Sequence, residues 1–182
     1  MQELSKRLAV ISEIVSKHEN LGKTTMMKFI FLLQQVYKVP LGYDYDIYTY
    51  GPYSPVVAGD VNYAADFDVI QLVSSSNHTG YELRVTKQTP DIISNEKDFI
   101  EEHGQSISTV IELFGEKTTR DLELITTIIY FYSLRLFLNK DTSVVPITER
   151  VKAIKPRFET EIIEAEYEYL ESLGILEKLR EV

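Results

Sequence analysis

The chain has 182 residues, 44% of them hydrophobic and 26% charged, which is the composition of a soluble globular protein with enough apolar surface for one core or two small lobes. The absence of cysteine excludes disulfide frameworks, thiolate catalysis and Cys-type zinc sites, and it fits a reducing compartment. The net charge of -9 opposes tight sequence-independent nucleic-acid binding, because that affinity comes from Lys and Arg displacing counterions from phosphates.

Residues 2–17 place Leu4, Leu8, Ile11 and Val15 at spacings of four, three and four, which predicts an amphipathic helix. Gly22 falls in the following loop. Thr24 or Thr25 then caps a second helix that runs to about residue 39, where Pro40 stops it. This helix, MMKFIFLLQQVYKV, is apolar over most of its circumference and so belongs at the centre of the fold. Residues 43–50 alternate as a short strand, which sends Tyr43 and Tyr45 to one face and Tyr48 and Tyr50 to the other. Gly51-Pro52 makes a corner, and Ser54 as N-cap with Pro55 as the first helical residue starts a third helix over 55–65. Residues 69–73 and 81–86 are β-rich and flank a loop of turn residues, 74–80, the pattern of a hairpin. Three helices followed by a hairpin is the order of a winged-helix domain, with the strand at 43–50 as an addition before the third helix.

The second half reads as all-helical, with helices over 95–114, 119–139, 148–154 and 160–173. In the second of these, Leu122, Ile125, Ile129, Tyr132 and Leu136 mark one buried seam. Gly174 followed by Ile175 closes the last helix as a Schellman-type end. The expected fold class is mainly α with a small β-hairpin, a winged-helix-like half over 1–89 packed on a helical half over 90–182 in one compact domain, with a soft boundary at Thr89-Pro90. No apolar run reaches the ~18 residues of a membrane span, and MQELSKRLAV lacks a signal-peptide apolar region. A cytoplasmic protein without a membrane partner is expected.

Signals for catalysis are weak. Gly22-Lys23-Thr24-Thr25 resembles the tail of a phosphate-binding loop, but the glycine needed five residues earlier is replaced by Lys17, and the preceding segment reads as helix. His18, His78 and His103 lie in three different elements without ligand spacing, so neither a metal nor another cofactor is expected. Glu159, Glu161, Glu164, Glu166, Glu168 and Glu171 fall on the solvated side of a helix whose apolar stripe is Ile162, Ile163, Leu170 and Leu173.

Two features stand out as partner surfaces. YTYGPYSP, residues 48–55, ends a stretch with five tyrosines in eleven residues: Tyr43, Tyr45, Tyr48, Tyr50 and Tyr53. Gly51, Pro52 and Ser54 suit the corner, but geometry does not ask for so many tyrosines, and tyrosine is enriched where proteins meet. The other feature is a basic cluster, Arg150, Lys152, Lys155 and Arg157, just before a stretch over 159–182 with eight Glu against Lys178 and Arg180. A face formed by these four side chains would be the nucleic-acid contact of a DNA-binding regulator.

Three stretches together resemble a known family. TTMMKFIFLLQ (24–34), YTYGPYSPVVAGDV (48–61) and VKAIKPRFETEIIEAEYEYLESLGIL (151–176) are similar, in order, to its apolar lysine-bearing helix, its Y-x-YGPYS turn and helix, and its V-K-x-L-K-P-x-F ending. The family is the YwgA-like group of bacterial and archaeal proteins, related to the SocA-like antitoxins that carry the Panacea domain. Met27 and Phe31 depart from its pattern, which has Gln and Tyr at those positions. The resemblance implies a helical fold with winged-helix character, no enzymatic activity and, as in SocA-like relatives, direct binding of a toxin-like or regulatory protein. The motif-matching positions are Lys28, Tyr50, Gly51, Pro52, Tyr53 and Ser54, to which the tyrosine pattern adds Tyr48. A protein partner is thus favoured over nucleic acid, and homo-oligomerisation is left open.

Overall fold

A computed structural model of the protein describes residues 2–18, 21–75 and 80–181. At its centre lies α2 (Lys23–Gln35), in which every residue from Met26 to Leu33 is buried. An apolar helix without a polar face has to be covered on all sides. α1 (Gln2–Lys17), α3 (Pro55–Asp66), α5 (Lys97–Phe114) and α6 (Thr119–Phe137) all pack against it. The helix starts without a side-chain cap, from Gly22 in extended backbone, so the expected Thr24 or Thr25 cap is absent. It also ends at Gln35, ahead of the expected residue 39, and Lys38, at φ +57°, redirects the chain before Pro40.

The sheet has one strand more than the sequence suggested. A two-residue strand, β1 (Leu21–Gly22), lies between α1 and α2 and pairs antiparallel with β5 (Tyr81–Val85), which also pairs with β4 (Ile70–Ser74). The sheet order β1-β5-β4 joins the hairpin to the front of the helical unit. The inner residues of the expected 74–80 loop, 76–79 with His78, lie outside the described residues.

The segment expected as a strand over 43–50 is instead a second hairpin, inserted between α2 and α3. β2 (Asp46–Tyr48) pairs with β3 (Gly51–Tyr53), so Gly51-Pro52 is strand and the turn is Thr49-Tyr50. Mirror-type hairpin turns need positive φ at their central residues. Here the positive φ, +88°, falls on Gly51, where the chain enters β3. Ser54 caps α3 by accepting from the Val57 backbone N–H, with Pro55 in the first turn, as the sequence predicts.

The second half opens with a helix the sequence did not suggest, α4 (Thr89–Asn95), and the helix expected over 95–114 starts after Glu96, as α5. α7 (Val144–Ile154) begins four residues earlier than expected, because Pro146 sits in its first turn, where no intrahelical N–H is missed. α8 (Thr160–Ser172) ends at Gly174, which is left-handed (φ +69°), and α9 (Ile175–Lys178) follows. The buried stripe of α8 is Ile163, Tyr167 and Leu170, whereas Ile162 faces solvent. The largest departure is α6. It was expected to bury one seam, but every residue from Leu122 to Ile129 is buried because β3 covers its remaining face.

Candidate functional site

The tyrosine hairpin is anchored from before, below and behind. Before it, Gln34 brackets Tyr43, its Nε2 donating to the Tyr43 carbonyl (2.7 Å) and its Oε1 accepting from the Tyr43 N–H (2.8 Å). The Tyr43 hydroxyl donates to Asp60 Oδ2 on α3 (2.8 Å), and Arg7 lies 4.3 Å from the Tyr43 ring centre. Burial and the Asp60 hydrogen bond hold this phenol well above its ordinary pKa. Tyr45 packs edge-on against Phe31, at 5.0 Å between ring centres. Tyr43 and Tyr45 therefore face inward, whereas Tyr48, on the opposite face of the extended chain, and Tyr50, in the turn, are exposed.

Below the hairpin, Lys28 of α2 is only 2% exposed and its Nζ donates to the Pro52 carbonyl (2.7 Å). From behind, Lys155, equally buried at the end of α7, donates from Nζ to the carbonyls of Tyr48 (2.8 Å) and Thr49. Beside Lys155 lies Glu123 of α6, buried to 2%. One of its carboxylate oxygens is 3.1 Å from Lys155 Nζ, and the other pairs with Arg157. Two buried lysines and one buried carboxylate leave an excess of positive charge under the turn, and half-exposed Arg157, which draws on the same carboxylate from outside, does not offset it. Lys28 feels the result. Burial lowers its pKa to about 8, with Glu123 opposing the shift and Lys155 adding to it.

Gly51 makes this approach possible. A Cβ at Gly51 would stand 3.2 Å from Thr127 Oγ1 and 3.3 Å from both the Glu123 carbonyl and Lys28 Nζ. Its positive φ independently disfavours a side chain.

Above this floor the hairpin, α2 and α3 line a half-open cavity of about 580 Å³. Met27, Val57, Ala58 and Val61 form its apolar wall, Lys28 and Gly51 its floor, and Tyr48, Tyr50 and Tyr53 its rim, with Lys23 and Asn62 opposite. The three tyrosines are 59%, 62% and 36% exposed, and the Tyr48 and Tyr53 rings lie 5.3 Å apart. Lys23 Nζ donates to Asn62 Oδ1 (2.8 Å) and sits over the Tyr81 ring. The Gly22-Lys23-Thr24 stretch does follow a strand, of two residues, but its lysine is turned to this rim and no glycine loop precedes it.

The structure thus brings together Lys28, Tyr48, Tyr50, Gly51 and Tyr53. Pro52 and Ser54, predicted with them, are buried outside the cavity lining and support it, through the Pro52 carbonyl and the α3 cap. The basic cluster does not form one free face. Lys155 is buried and Arg157 is paired with Glu123. Lys152 donates to the carbonyls of Pro156 (3.1 Å) and Phe158 (2.7 Å), and Arg150 lies over the Phe131 ring. Glu123, Met27, Val57, Val61, Lys23 and Asn62 were missed. The one available signal was Glu123, a lone carboxylate inside the apolar run LELITTII.

His18 stacks on Phe29 and His103 lies edge-on to Phe99, and among the described residues no cluster of three or more His, Asp or Glu could hold a metal ion. No helix of the described residues is long and apolar enough to cross a membrane. Comparison with protein-family models, curated proteins and solved structures finds no match to this chain.

Proposed function

We propose that this protein is a non-enzymatic cytoplasmic interaction module, antitoxin-like in its broad logic, that holds a partner protein on the tyrosine hairpin. The observation that carries the reading is the combination of three exposed tyrosines with a turn whose backbone is fixed at three carbonyls by two buried lysines. Exposed aromatic side chains on a rigid backbone lose little entropy when they dock, which is what a binding anchor needs. The likeness of the 48–61 stretch to the YwgA-like and SocA-like proteins supports the same reading and suggests a toxin-like or regulatory partner. A photo-cross-linking residue at position 50, introduced in the native host, tests it. A discrete protein adduct is expected, and Tyr50→Ala should reduce recovery of that protein without lowering the melting temperature. Unchanged recovery by Tyr48→Ala, Tyr50→Ala and Tyr53→Ala alike would refute the reading.

The winged-helix order of elements favours a second reading, a DNA-binding regulator. Its weakness is chemical. α3, the helix that would enter a groove in such a fold, contains Asp60 and Asp66 but neither Lys nor Arg, and of the basic cluster Lys155 is buried and Arg157 is paired with Glu123. Duplex DNA should bind no tighter than the ~10⁻⁴ to 10⁻⁶ M of non-specific contacts. Sub-micromolar binding with a steep salt slope, lost on Arg150→Glu and Arg157→Glu, would replace the first reading with this one.

A further inference from the structure

The floor of the cavity carries a group whose bonding is incomplete. A lysine ammonium has three N–H donors. Lys28 uses one of them, on the Pro52 carbonyl, and among the described residues no other acceptor lies within hydrogen-bond reach of its Nζ. Burying such a group without partners is costly, so an acceptor brought to it from outside would recover interactions that the free protein lacks. The cavity lining points the same way. It contains two lysines and no carboxylate, in a protein whose net charge is -9. The start of α2, with Lys23 and Thr24, borders the cavity, and no acidic residue occupies that first turn. Its partial positive charge adds to the attraction for an anion. Beside the ammonium, the wall of Met27, Val57, Ala58 and Val61 is apolar.

We propose, building on the interaction reading above, that the cavity receives the C-terminal end of a partner chain, its terminal carboxylate accepting hydrogen bonds from Lys28 and its apolar last side chain packing on α2 and α3. A chain end carries a carboxylate and a side chain on one residue, matching an ammonium and an apolar wall that meet at one floor. It also enters end-on. The floor is closed where β3 lies on α6, with little room even for a Cβ at Gly51 beside Thr127 and Glu123, so a group reaching Lys28 comes in from the mouth, which a chain end does without doubling back. The volume of about 580 Å³ is within the range of ~300–1,000 Å³ that suits a compact ligand.

The test uses two synthetic libraries of hexapeptides with randomised last three positions, one with free carboxylates and one amidated, passed over the immobilised intact protein and read by mass spectrometry. Free acids ending in apolar residues should be retained at least ~10-fold over amides, the ratio expected when an acceptor for a buried charged donor is removed. Lys28→Met should abolish the preference. Because that variant also loses the Pro52 hydrogen bond, a second readout uses the unaltered protein. Calorimetry of a retained peptide at pH 8 in two buffers of different ionisation heat should show net proton uptake, as an ammonium whose pKa burial has lowered to about 8 becomes more fully charged on meeting the carboxylate. The groups facing Lys28 are Glu123, Lys155 and, behind them, Arg157, with Lys23, Tyr48, Tyr50 and Tyr53 at the mouth. Equal retention of acids and amides, retention of neither, enrichment of internal acidic residues regardless of the terminus, or zero proton uptake would each overturn the proposal. If cross-linking at position 50 still captures a Tyr50-dependent partner, such a failure removes only the terminal-carboxylate inference. If the acid preference holds while no tyrosine substitution affects partner recovery, the interaction reading fails instead.

Discussion

Lys155→Met removes the ammonium that fastens the tyrosine turn to the C-terminal half while keeping most of the side-chain volume. In the parent, Lys155 is 5% and Glu123 2% exposed at the side chain, with 3.1 Å between charged atoms. Breaking one partner of a buried pair costs ~3–5 kcal/mol, mostly because the remaining charge is left uncompensated. Two features of this site place the cost near the lower end. Arg157 still pairs with Glu123, and the released carbonyls belong to Tyr48 and Thr49, both exposed enough for water to replace the lysine. For a chain of this size, ~3 kcal/mol corresponds to a fall of roughly 6–12 °C in melting temperature. Urea and thermal denaturation of parent and variant measure it, and amide exchange across 46–53 should speed up more than exchange in α2. Glu123→Leu combined with Lys155→Met should recover most of the loss, since a buried pair is replaced by apolar groups and no charge is stranded. A single variant within ~0.5 kcal/mol of the parent would show that the buried ion pair does not hold the hairpin, and the account of the site would fall with it.

Replacing Ile30 or Leu33, both almost wholly buried in α2, by Ala should cost ~2–5 kcal/mol in chemical denaturation. An unchanged transition would mean that α2 is not the central helix. Gly51→Val should destabilise by ~2–4 kcal/mol, from the positive φ together with crowding of Thr127, Glu123 and Lys28, and Gly59→Ala on open surface is the control that should not. The Lys28 pKa gives a signed pH dependence. With the folded value near 8 and the ordinary lysine value 10.5, the unfolded chain binds more protons between those limits, so this residue's destabilisation is complete below pH 8 and is relieved as pH rises towards 10.5. Compared with Lys28→Met, the parent should therefore gain stability between pH 7.5 and 9.5, by no more than ~1.4 kcal/mol per pH unit, in paired urea titrations.

Periodicity was enough to place α1, α2, α3 and the β4–β5 hairpin, because each has an apolar pattern of its own and, at α3, a Ser54-Pro55 start that only a helix N-terminus uses well. β1 was invisible: two residues have no period, and Leu21–Gly22 is a strand only because β5 lies beside it. The second hairpin was legible as a tyrosine strand followed by a corner. Its true register depended on α6, whose surface supplies the Thr127 and Glu123 contacts that Gly51 accommodates. The burial of Lys155 was not legible for a related reason. Lys155 follows a short amphipathic helix and looks like a solvated end, and nothing local records that Glu123, thirty-two residues earlier, would be buried against it. The composition of the hairpin was readable, whereas its anchorage and cavity depend on contacts made after the helices pack.

Tyr48 and Lys155 stand 107 residues apart, which places the site in time as well as in space. At ~5–20 residues per second, a ribosome needs roughly 5–20 s to pass from the turn to the lysine that fastens it. α1, α2 and the hairpin are therefore already outside while the turn's last anchor is still being made. A nascent chain cannot present the tyrosines on a fixed backbone until translation has passed α7. The molecule consequently becomes competent to bind late in its own synthesis, and any chain stopped before residue 155 lacks that competence however well its first helices fold.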